Sequence, residues 1–393
     1  MKIAIVSDYY LDYVGGAQSS MLEQKAALEE AGHTVLMVAA TRGLKRTERD
    51  ARGIRIKPSY TVPVLQLPVI KVRARLEAEL RAFLSEEAVD IVHVQTEFGL
   101  AHAITNAAYL LQIPVVHTVH TFYWQSHGVL PTLASPIMRA LLRSIVRVPI
   151  GDTPFSDRPS DSLLRNLTLA MAKRADVVVS PSAHQAHDLA AGGVERPIGV
   201  VPNPVSRSAI APLPLPETPR IVWVARVEPE KRPLVFTQAV LEALGKATFE
   251  VDIVGDGSEL GKVRALAAGH PQIHVHGSLP HDRVLELIDS GSIVALTSLG
   301  FDNQPMTIAE AVSRHRGVLF CDSKLREGLG DSGYLSSTPD AAGLASAILE
   351  LVTDPALLGR LSRGAAADAV TFSGATYVER ILETYARATQ EAH

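Results

Sequence analysis

The 393-residue chain is 47% hydrophobic and 20% charged, the make-up of a packed globule too long for one ordinary core, so two domains of under ~200 residues are expected. Its single cysteine, Cys321, excludes a disulfide framework and a clustered thiolate metal site, which favours a cytosolic setting. The net charge of −4 argues against a general nucleic-acid binder, MKIAIVSDYY is too short an apolar run for a signal peptide, and no stretch approaches the ~18 uninterrupted apolar residues of a membrane span.

KIAIVS opens the chain as a short apolar strand, followed by a loop ending in Gly15-Gly16. AQSSMLEQKAALEEAGH then reads as an amphipathic helix closed by Gly32, and TVLMVAA as the next strand. Glycine at 15 and 16 lets the backbone approach a ligand, and the helix terminus favours anions; a plain turn explains the pair equally well, and no GxGxxG fingerprint is present. DIVHVQ, PVVHTVH, ADVVVSPS and IGVVPNP follow as buried-type strands, with helical segments SDSLLRNLTLAMAKRA and AHQAHDLAAGG among them. Such alternation indicates a parallel, doubly wound sheet.

Two features of this half carry chemistry. His117 and His120 end the strand PVVHTVH, but no nearby acid or cysteine completes a tetrahedral metal set. The two-residue period of a strand turns the pair to opposite faces, so a single histidine at a ligand is the better reading, with His120 nearer the strand end. SPIMRALLRSIVRVPI spaces Arg139, Arg143 and Arg147 four apart, one stripe if helical, with Ile137, Met138, Leu141, Leu142, Ile145 and Val146 on either side. No acid lies between Glu97 and Asp152, and Arg42 to Arg75 holds ten basic residues against two acids. A basic amphipathic helix of this kind suits an anionic bilayer surface; the alternative is a surface helix packing its apolar side on the sheet. Residues 1–204 carry 21 Lys and Arg against 19 Asp and Glu, a net +2, whereas the remainder carries 17 against 23, a net −6.

VSRSAIAPLPLPETP (205–219) is Pro-rich without apolar period and reads as a linker, after which strand–helix alternation restarts. The strands are IVWVAR, FEVDIVGDG, IHVHGS, SIVALTS and GVLFCD. The helices are RPLVFTQAVLEALG, SELGKVRALAAGH, HDRVLELIDS and TIAEAVSRH, then AAGLASAILELV, PALLGRLSRGAAADAV and ATYVERILETYARATQ. Two Rossmann-like halves bind ligands at the carboxyl ends of their strands, hence in a cleft between them. The domains are 1–204, the linker 205–219 and 220–373, with the last helix, about 374–393, returning to the first domain.

Arg226 and Lys231, in WVARVEPEKRP, follow the first strand of the second half, where two cations can clamp a diphosphate; a solvated turn pairing with Glu228 and Glu230 is the alternative. Gly255 and Gly257, in IVGDGSEL, leave room for a nucleoside or simply make a tight turn into a helix capped by Ser258. In SLGFDNQPMTIAEA, Gly300 precedes a helix start at which Pro305 suits the first turn. Asp302 sits in the loop at the helix mouth and Glu310 two turns in, eight residues on. Asn303, Gln304, Pro305, Met306 and Thr307 form the helix N-terminus, a dock for phosphate or sugar oxygens. Two acids beside an anion dock suggest a nucleotide sugar, against an unrelated surface Glu beside an acid that merely favours the helix dipole.

Taken in order, GGAQ (15–18), HVQTEFGL (93–100), PVVHTVHTFY (114–123), VSPS (179–182), VPNPV (201–205), ARVEPEK (225–231), VGDGSEL (254–260) and DNQPMTIAEA (302–311) resemble the retaining nucleotide-sugar glycosyltransferases of family 4. The resemblance covers nearly the whole chain and implies the α/β GT-B fold, two Rossmann-like doubly wound domains with an interdomain cleft. TEFGL followed by HTVHTFY looks most like bacterial enzymes that glycosylate diacylglycerol or related membrane lipids. By position, Arg226 and Lys231 would hold the diphosphate, Glu310 the ribose hydroxyls, His120 the donor sugar near its reacting carbon, and Gly16 phosphate or sugar through its backbone. Asp302 stands where the family usually has glutamate, a reach shorter by about one C–C bond.

The resemblance further implies transfer of a hexose with retained anomeric configuration, without metal or other cofactor, from a nucleotide sugar such as UDP-glucose or GDP-mannose. The partners it implies are a lipid acceptor and an anionic membrane at the cytoplasmic face, with no nucleic acid. Three other readings stand beside it: a soluble or polysaccharide acceptor, a decayed sugar-binding protein for which Asp302 is the best support, and a hydrolase of the nucleotide-sugar epimerase kind.

Overall fold

The computed structural model describes residues 1–11, 15–44, 46–62, 67–125, 135–205 and 213–392. The chain divides into two compact units, Met1–Ser206 with Gly374–His393, and Arg207–Ser373. Of the Pro-rich stretch 205–219 expected as a linker, residues 206–212 lie outside the described residues.

The first unit is built on β1 (Lys2–Tyr10), β2 (Thr34–Ala40), β3 (Glu48–Asp50), β4 (Gly53–Ile56), β7 (Ile91–Val94), β8 (Val115–Thr118), β9 (Val177–Ser180) and β10 (Ile198–Val200), with β5 (Tyr60–Val62) and β6 (Leu67–Val69) a separate antiparallel pair. The sheet order is β10-β9-β8-β7-β1-β2-β4-β3, parallel except for β3 against β4. The chain starts at β1, winds one way through β2, then returns to β7 on the other flank, so the topological switch lies between β1 and β7.

Alternation along the strands feeds two cores. Ala4, Val6, Leu36, Val38, Val92 and Val94 pack with the helices Ala74–Glu86 and Gly99–Leu110. Ile3, Ile5, Val35, Ile91, Val116 and Val177 pack on the other face with the helix Gly16–Glu30 and with Tyr377, Ile381, Tyr385 and Ala388 of the last helix, Gly374–Glu391. That helix therefore covers apolar strand surface that water would otherwise reach, about 1.5–3 kcal/mol for each large side chain buried.

The second unit contains β11 (Arg220–Val224), β12 (Glu250–Val254), β13 (Ile273–Gly277), β14 (Ile293–Leu296), β15 (Gly317–Phe320) and β16 (Gly333–Leu335) in the all-parallel order β13-β12-β11-β14-β15-β16. Its switch point lies between β11 and β14, paired Ile221 to Ile293 and Trp223 to Ala295. Strands such as β14 and β15 are buried on both faces, which is why they read as unbroken apolar runs.

Several elements depart from the expected list. The helices Ala74–Glu86 and Gly99–Leu110 and the short strands β3 to β6 and β16 were not expected. The helix Gly99–Leu110 is buried on nearly all sides and so lacks an amphipathic period. Ser258 does not cap the following helix, which runs Leu260–Ala267; its hydroxyl and amide donate to Glu228 instead. Arg147 is not part of an arginine stripe, because the helix ends at Val146 and Arg147 takes a left-handed backbone, φ 56°.

Candidate active site

In the second unit, the segment after β11 is bound to the end of β14. Trp223 Nε1 donates to Thr297 Oγ1 at 2.9 Å, and the Thr297 hydroxyl donates to the Lys231 carbonyl at 2.8 Å. Lys231 closes a single 3-10 turn, Pro229–Lys231, after which Arg232 takes a left-handed backbone and opens the helix Pro233–Leu244. This geometry delivers the Lys231 ammonium across the switch point to Asp302, Nζ to Oδ1 2.5 Å, over the Phe301 ring. Both side chains are largely buried, while Asp302 Oδ2 is buried with no hydrogen-bond partner among the described residues. Asp302 thus holds Lys231 here, a role its sequence position did not suggest.

Arg226 leaves β11 with an exposed guanidinium that donates to Glu230 Oε1 at 2.6 Å, whereas Glu228 accepts from Ser258. The turn expected to pair both acids with cations pairs only one. Gly255 and Gly257 have a steric reason independent of any ligand. A Cβ on Gly255 would lie 1.8 Å from the Ala225 carbonyl oxygen, and one on Gly257 2.5 Å from that of Val227. The chain after β12 is pressed against the chain after β11, and only glycine permits it at φ of +138° and +159°.

The helix runs Met306–Ser313, one residue before the start of the expected TIAEAVSRH segment, with Pro305 as its cap residue rather than in its first turn. Glu310 is accordingly its fifth residue, one turn in and not two. Asn303 and Gln304 are buried at its mouth, and Thr307 Oγ1 donates to the Val224 carbonyl at 3.3 Å, which seats the N-terminus over the end of β11. Glu310 is nearly buried, with His281 Nε2 3.8 Å from its carboxylate. Arg226, Lys231, Asp302, the helix N-terminus and Glu310 therefore gather at the carboxyl ends of β11 and β14.

In the first unit, Gly15 is the cap residue of the helix Gly16–Glu30, following the loop after β1. His120 lies two residues beyond β8, its Nε2 donating to Gln95 Oε1 at 2.6 Å. Burial holds the imidazole neutral by pushing its pKa down to about 4. His117 is fully buried on β8, also neutral, its pKa pushed down to about 3 first by burial and then by neighbouring histidines. Among the described residues, no group of three His, Cys, Asp or Glu is placed to hold a metal.

Sequence reasoning missed Asp8, Gln95 and Glu97. Asp8, at the end of β1, accepts from Thr96 Oγ1 at 2.7 Å and from the Leu100 and Ala101 amides at 2.6 and 3.2 Å, capping the helix Gly99–Leu110. Glu97 lies buried beside it with Oε1 unpartnered among the described residues. Burial, and then the Asp8 charge, push its pKa up to about 8. Burial raises the Asp8 pKa as well, opposed by the Thr96 hydroxyl and the Leu100 and Ala101 amides, while Glu97 keeps its proton through neutral pH.

Arg139 and Arg143 lie on the helix Ser135–Val146 and donate to main-chain carbonyls, Arg139 to Ile150 and Gly151, Arg143 to Ile150. Leu142, Ile145 and Val146 are buried against Leu163 and Leu167, but Ile137 and Leu141 are 75% and 46% exposed. The helix thus packs one apolar side and presents another.

The family description "Glycosyltransferase Family 4" matches residues 14–208, and "Glycosyl transferases group 1" matches 218–354. The chain belongs to glycosyltransferase family 4. It is 25% identical to the phosphatidyl-myo-inositol mannosyltransferase of Mycolicibacterium smegmatis over 91% of this chain and 86% of that one. It is 27% identical to the D-inositol 3-phosphate glycosyltransferase of Acidothermus cellulolyticus over 90% and 81%. The match to the alpha-monoglucosyldiacylglycerol synthase of Acholeplasma laidlawii, at 30% identity, spans only 31% of this chain and 30% of that protein. The fold is shared with sucrose-phosphate synthase of Thermosynechococcus elongatus, TM-score 0.69 at 16% identity over 98% of both chains. It is shared too with Anabaena Alr3699/HepE in complex with UDP and glucose, TM-score 0.67 at 15% identity over 98% and 99%. The two-Rossmann GT-B architecture is thereby established for this family 4 chain.

Proposed function

We propose that this family 4 protein transfers a hexose from a nucleoside diphosphate sugar to a hydroxyl of a membrane lipid, with retention at the anomeric carbon and without a metal ion. The observation that carries the reading is the gathering of Lys231, Arg226 and the N-terminus of the helix Met306–Ser313 at the switch point of the second sheet. Cations and unpaired N–H groups set there stabilise charge as a diphosphate departs, work a metal performs in other enzymes. Glu310, near the same helix start, is assigned to the ribose hydroxyls, and His120 to the donor sugar.

In the reaction the acceptor oxygen attacks the anomeric carbon on the face the diphosphate leaves, through an oxocarbenium-like state. The bond from that carbon to the diphosphate oxygen breaks with its electron pair, and the departing phosphate oxygen takes the acceptor proton. No protein base is required.

Lipid acceptance is supported by two relatives, the mycobacterial phosphatidyl-myo-inositol mannosyltransferase and the alpha-monoglucosyldiacylglycerol synthase. It is supported as well by the exposed pair Ile137 and Leu141 beside exposed Arg143 on one short helix. Among the described residues no single helix is long and apolar enough to cross a membrane, so contact would be peripheral. A soluble inositol phosphate is the second reading, because a glycosyltransferase of that name matches along most of the chain. Incubation with UDP-glucose or GDP-mannose and a lipid extract separates the outcomes: a glycolipid supports the proposal, transfer only to added inositol phosphate supports the second reading, and free sugar or no turnover contradicts both.

A further inference from the structure

The imidazole of His120 ends a run of buried side chains that begins on the last helix of the polypeptide. Tyr377 Oη donates to Gln24 Oε1 at 3.0 Å, and Gln95 Nε2 donates to the same oxygen at 2.9 Å. Gln95 therefore has its own Oε1 left to accept, and His120 Nε2 supplies the donor at 2.6 Å. On the other side, Gln24 Nε2 donates to Ser20 Oγ at 2.9 Å and Ser20 Oγ donates to Asn203 Oδ1 at 2.6 Å. Ser20, Gln24, Gln95, Asn203 and Tyr377 are all buried.

Both glutamines use their oxygen as acceptor and their nitrogen as donor, so the hydrogen bonds run one way from His120 through Gln95, Gln24 and Ser20 to Asn203, with Tyr377 a second donor into Gln24 Oε1. Turning one amide over would set nitrogen against nitrogen or oxygen against oxygen, and in a buried network that leaves polar groups unmatched. The network thereby decides which nitrogen of His120 bears the proton. No described residue bonds its Nδ1, and His120 as a residue is half-buried.

We propose that Gln95 and Tyr377 are positioning residues for the transfer reaction: through Gln24 they lock His120 as the neutral Nε2–H tautomer and leave Nδ1 as a hydrogen-bond acceptor for a hydroxyl of the donor sugar. The proposal rests on the reading of His120 as a sugar contact, and it adds a link between the last helix and that contact. Tyr377 lies 353 residues from Gln24 in sequence, so the helix Gly374–Glu391 supplies part of the site as well as covering a core. The second tyrosine of the same helix, Tyr385, bonds His93 Nδ1 at 2.8 Å, and His93 Nε2 bonds Thr118 at 2.7 Å, which ties that helix to β8, the strand leading to His120.

The test uses the full-length chain with 15N-labelled histidine, His120 being assigned by its loss in His120→Asn. Two-bond proton–nitrogen correlations at pH 7 are expected to show the Nε2–H tautomer alone in wild type. A predominantly Nδ1–H form, or a charged ring, overturns the proposal whatever the activity. Tyr377→Phe removes a single oxygen and Gln95→Leu the direct partner; both are expected to yield a mixture of tautomers, with Gln95→Leu showing the larger change. In steady-state transfer, Gln95→Leu should lower kcat about tenfold or more with donor KM changed less, as expected of a misplaced contact to reacting sugar. In the His120→Asn background it should have no further effect, because its action runs through that ring. If Gln95→Leu fails to fold, Tyr377→Phe carries the same two readouts. Undisturbed tautomers in Tyr377→Phe and Gln95→Leu, or equal kinetic losses with and without His120, refute the positioning role. If His120→Asn transfers at the wild-type rate while the tautomer is as stated, the sugar-contact reading fails and the network stands.

Discussion

Replacement of Glu97 by glutamine tests the electrostatics of the first unit. Glu97 is buried beside Asp8, and its pKa is raised from 4.5 to about 8. A raised acid favours the folded state most below its unfolded pKa, and that contribution is lost as pH climbs to about 8. His93, His102 and His117 are held near 3 and His120 near 4, all by burial, so their contribution is present above 6.5 and lost on acidification. Stability of the first unit should therefore fall on the acid side of pH 6.5 through the histidines, and between 6.5 and 8 through Glu97. At about 1.36 kcal/mol per pH unit for one proton, the alkaline fall is on the order of 2 kcal/mol. Hydrogen exchange of the slowest amides in β1, β7 and β8, corrected for intrinsic rates, reads the opening free energy of this unit alone. Glu97→Gln should remove the alkaline fall and steepen the acid limb between about pH 4.5 and 6.5, where the Glu97 proton opposes the histidines. An equal alkaline slope in the two proteins would refute the assignment of the proton to Glu97.

Glu310→Ala should weaken donor binding by about 1.5–3 kcal/mol, the worth of a charge-assisted hydrogen bond to ribose. Calorimetric donor affinity within twofold of wild type, with the fold intact, removes Glu310 from the site. Lys231→Ala should reduce turnover at saturating donor by about 10²-fold, since its charge counts most as the diphosphate separates, and Arg226→Ala should act in the same direction. Near-normal turnover in Lys231→Ala would leave the phosphate-clamp assignment without support. Ile137→Ser combined with Leu141→Ser should reduce recovery with anionic vesicles at low salt without changing the fold, each cation near the surface contributing about 1 kcal/mol beside the apolar pair. Equal recovery with anionic and zwitterionic vesicles for both proteins would point to a soluble acceptor.

The central strands were legible because they are buried on both faces and so appear as unbroken apolar runs, β9 and β14 most plainly, whereas short, partly exposed strands such as β3, β5 and β16 were not. The switch-point segments were legible because loops after such strands carry the polar residues. The helix Gly99–Leu110 was not, since its cap comes from Asp8, 92 residues before Leu100, and its buried circumference erases the helical period. Lys231 and Asp302 were both marked, yet their pairing required β11 and β14 to be neighbours, which the two segments do not reveal separately. The arginine spacing of 139, 143 and 147 suggested a stripe, but periodicity cannot show where a helix stops, and this one stops at Val146. Gln24, Gln95 and Tyr377 lie inside apolar-looking or amphipathic segments, where a buried polar side chain resembles any other until its partner is placed.

The central claim, donor-dependent transfer at the Lys231 and Glu310 site, is tested most directly by nucleoside diphosphate release on a panel of nucleotide sugars with a lipid extract, the anomeric configuration of the product being read by NMR. The account predicts rapid release with one donor only when lipid is present, a glycolipid whose new bond keeps the donor's anomeric configuration, and loss of that release in Lys231→Ala. Donor-independent silence across the panel, release with inverted configuration, or equal release by Lys231→Ala would contradict it.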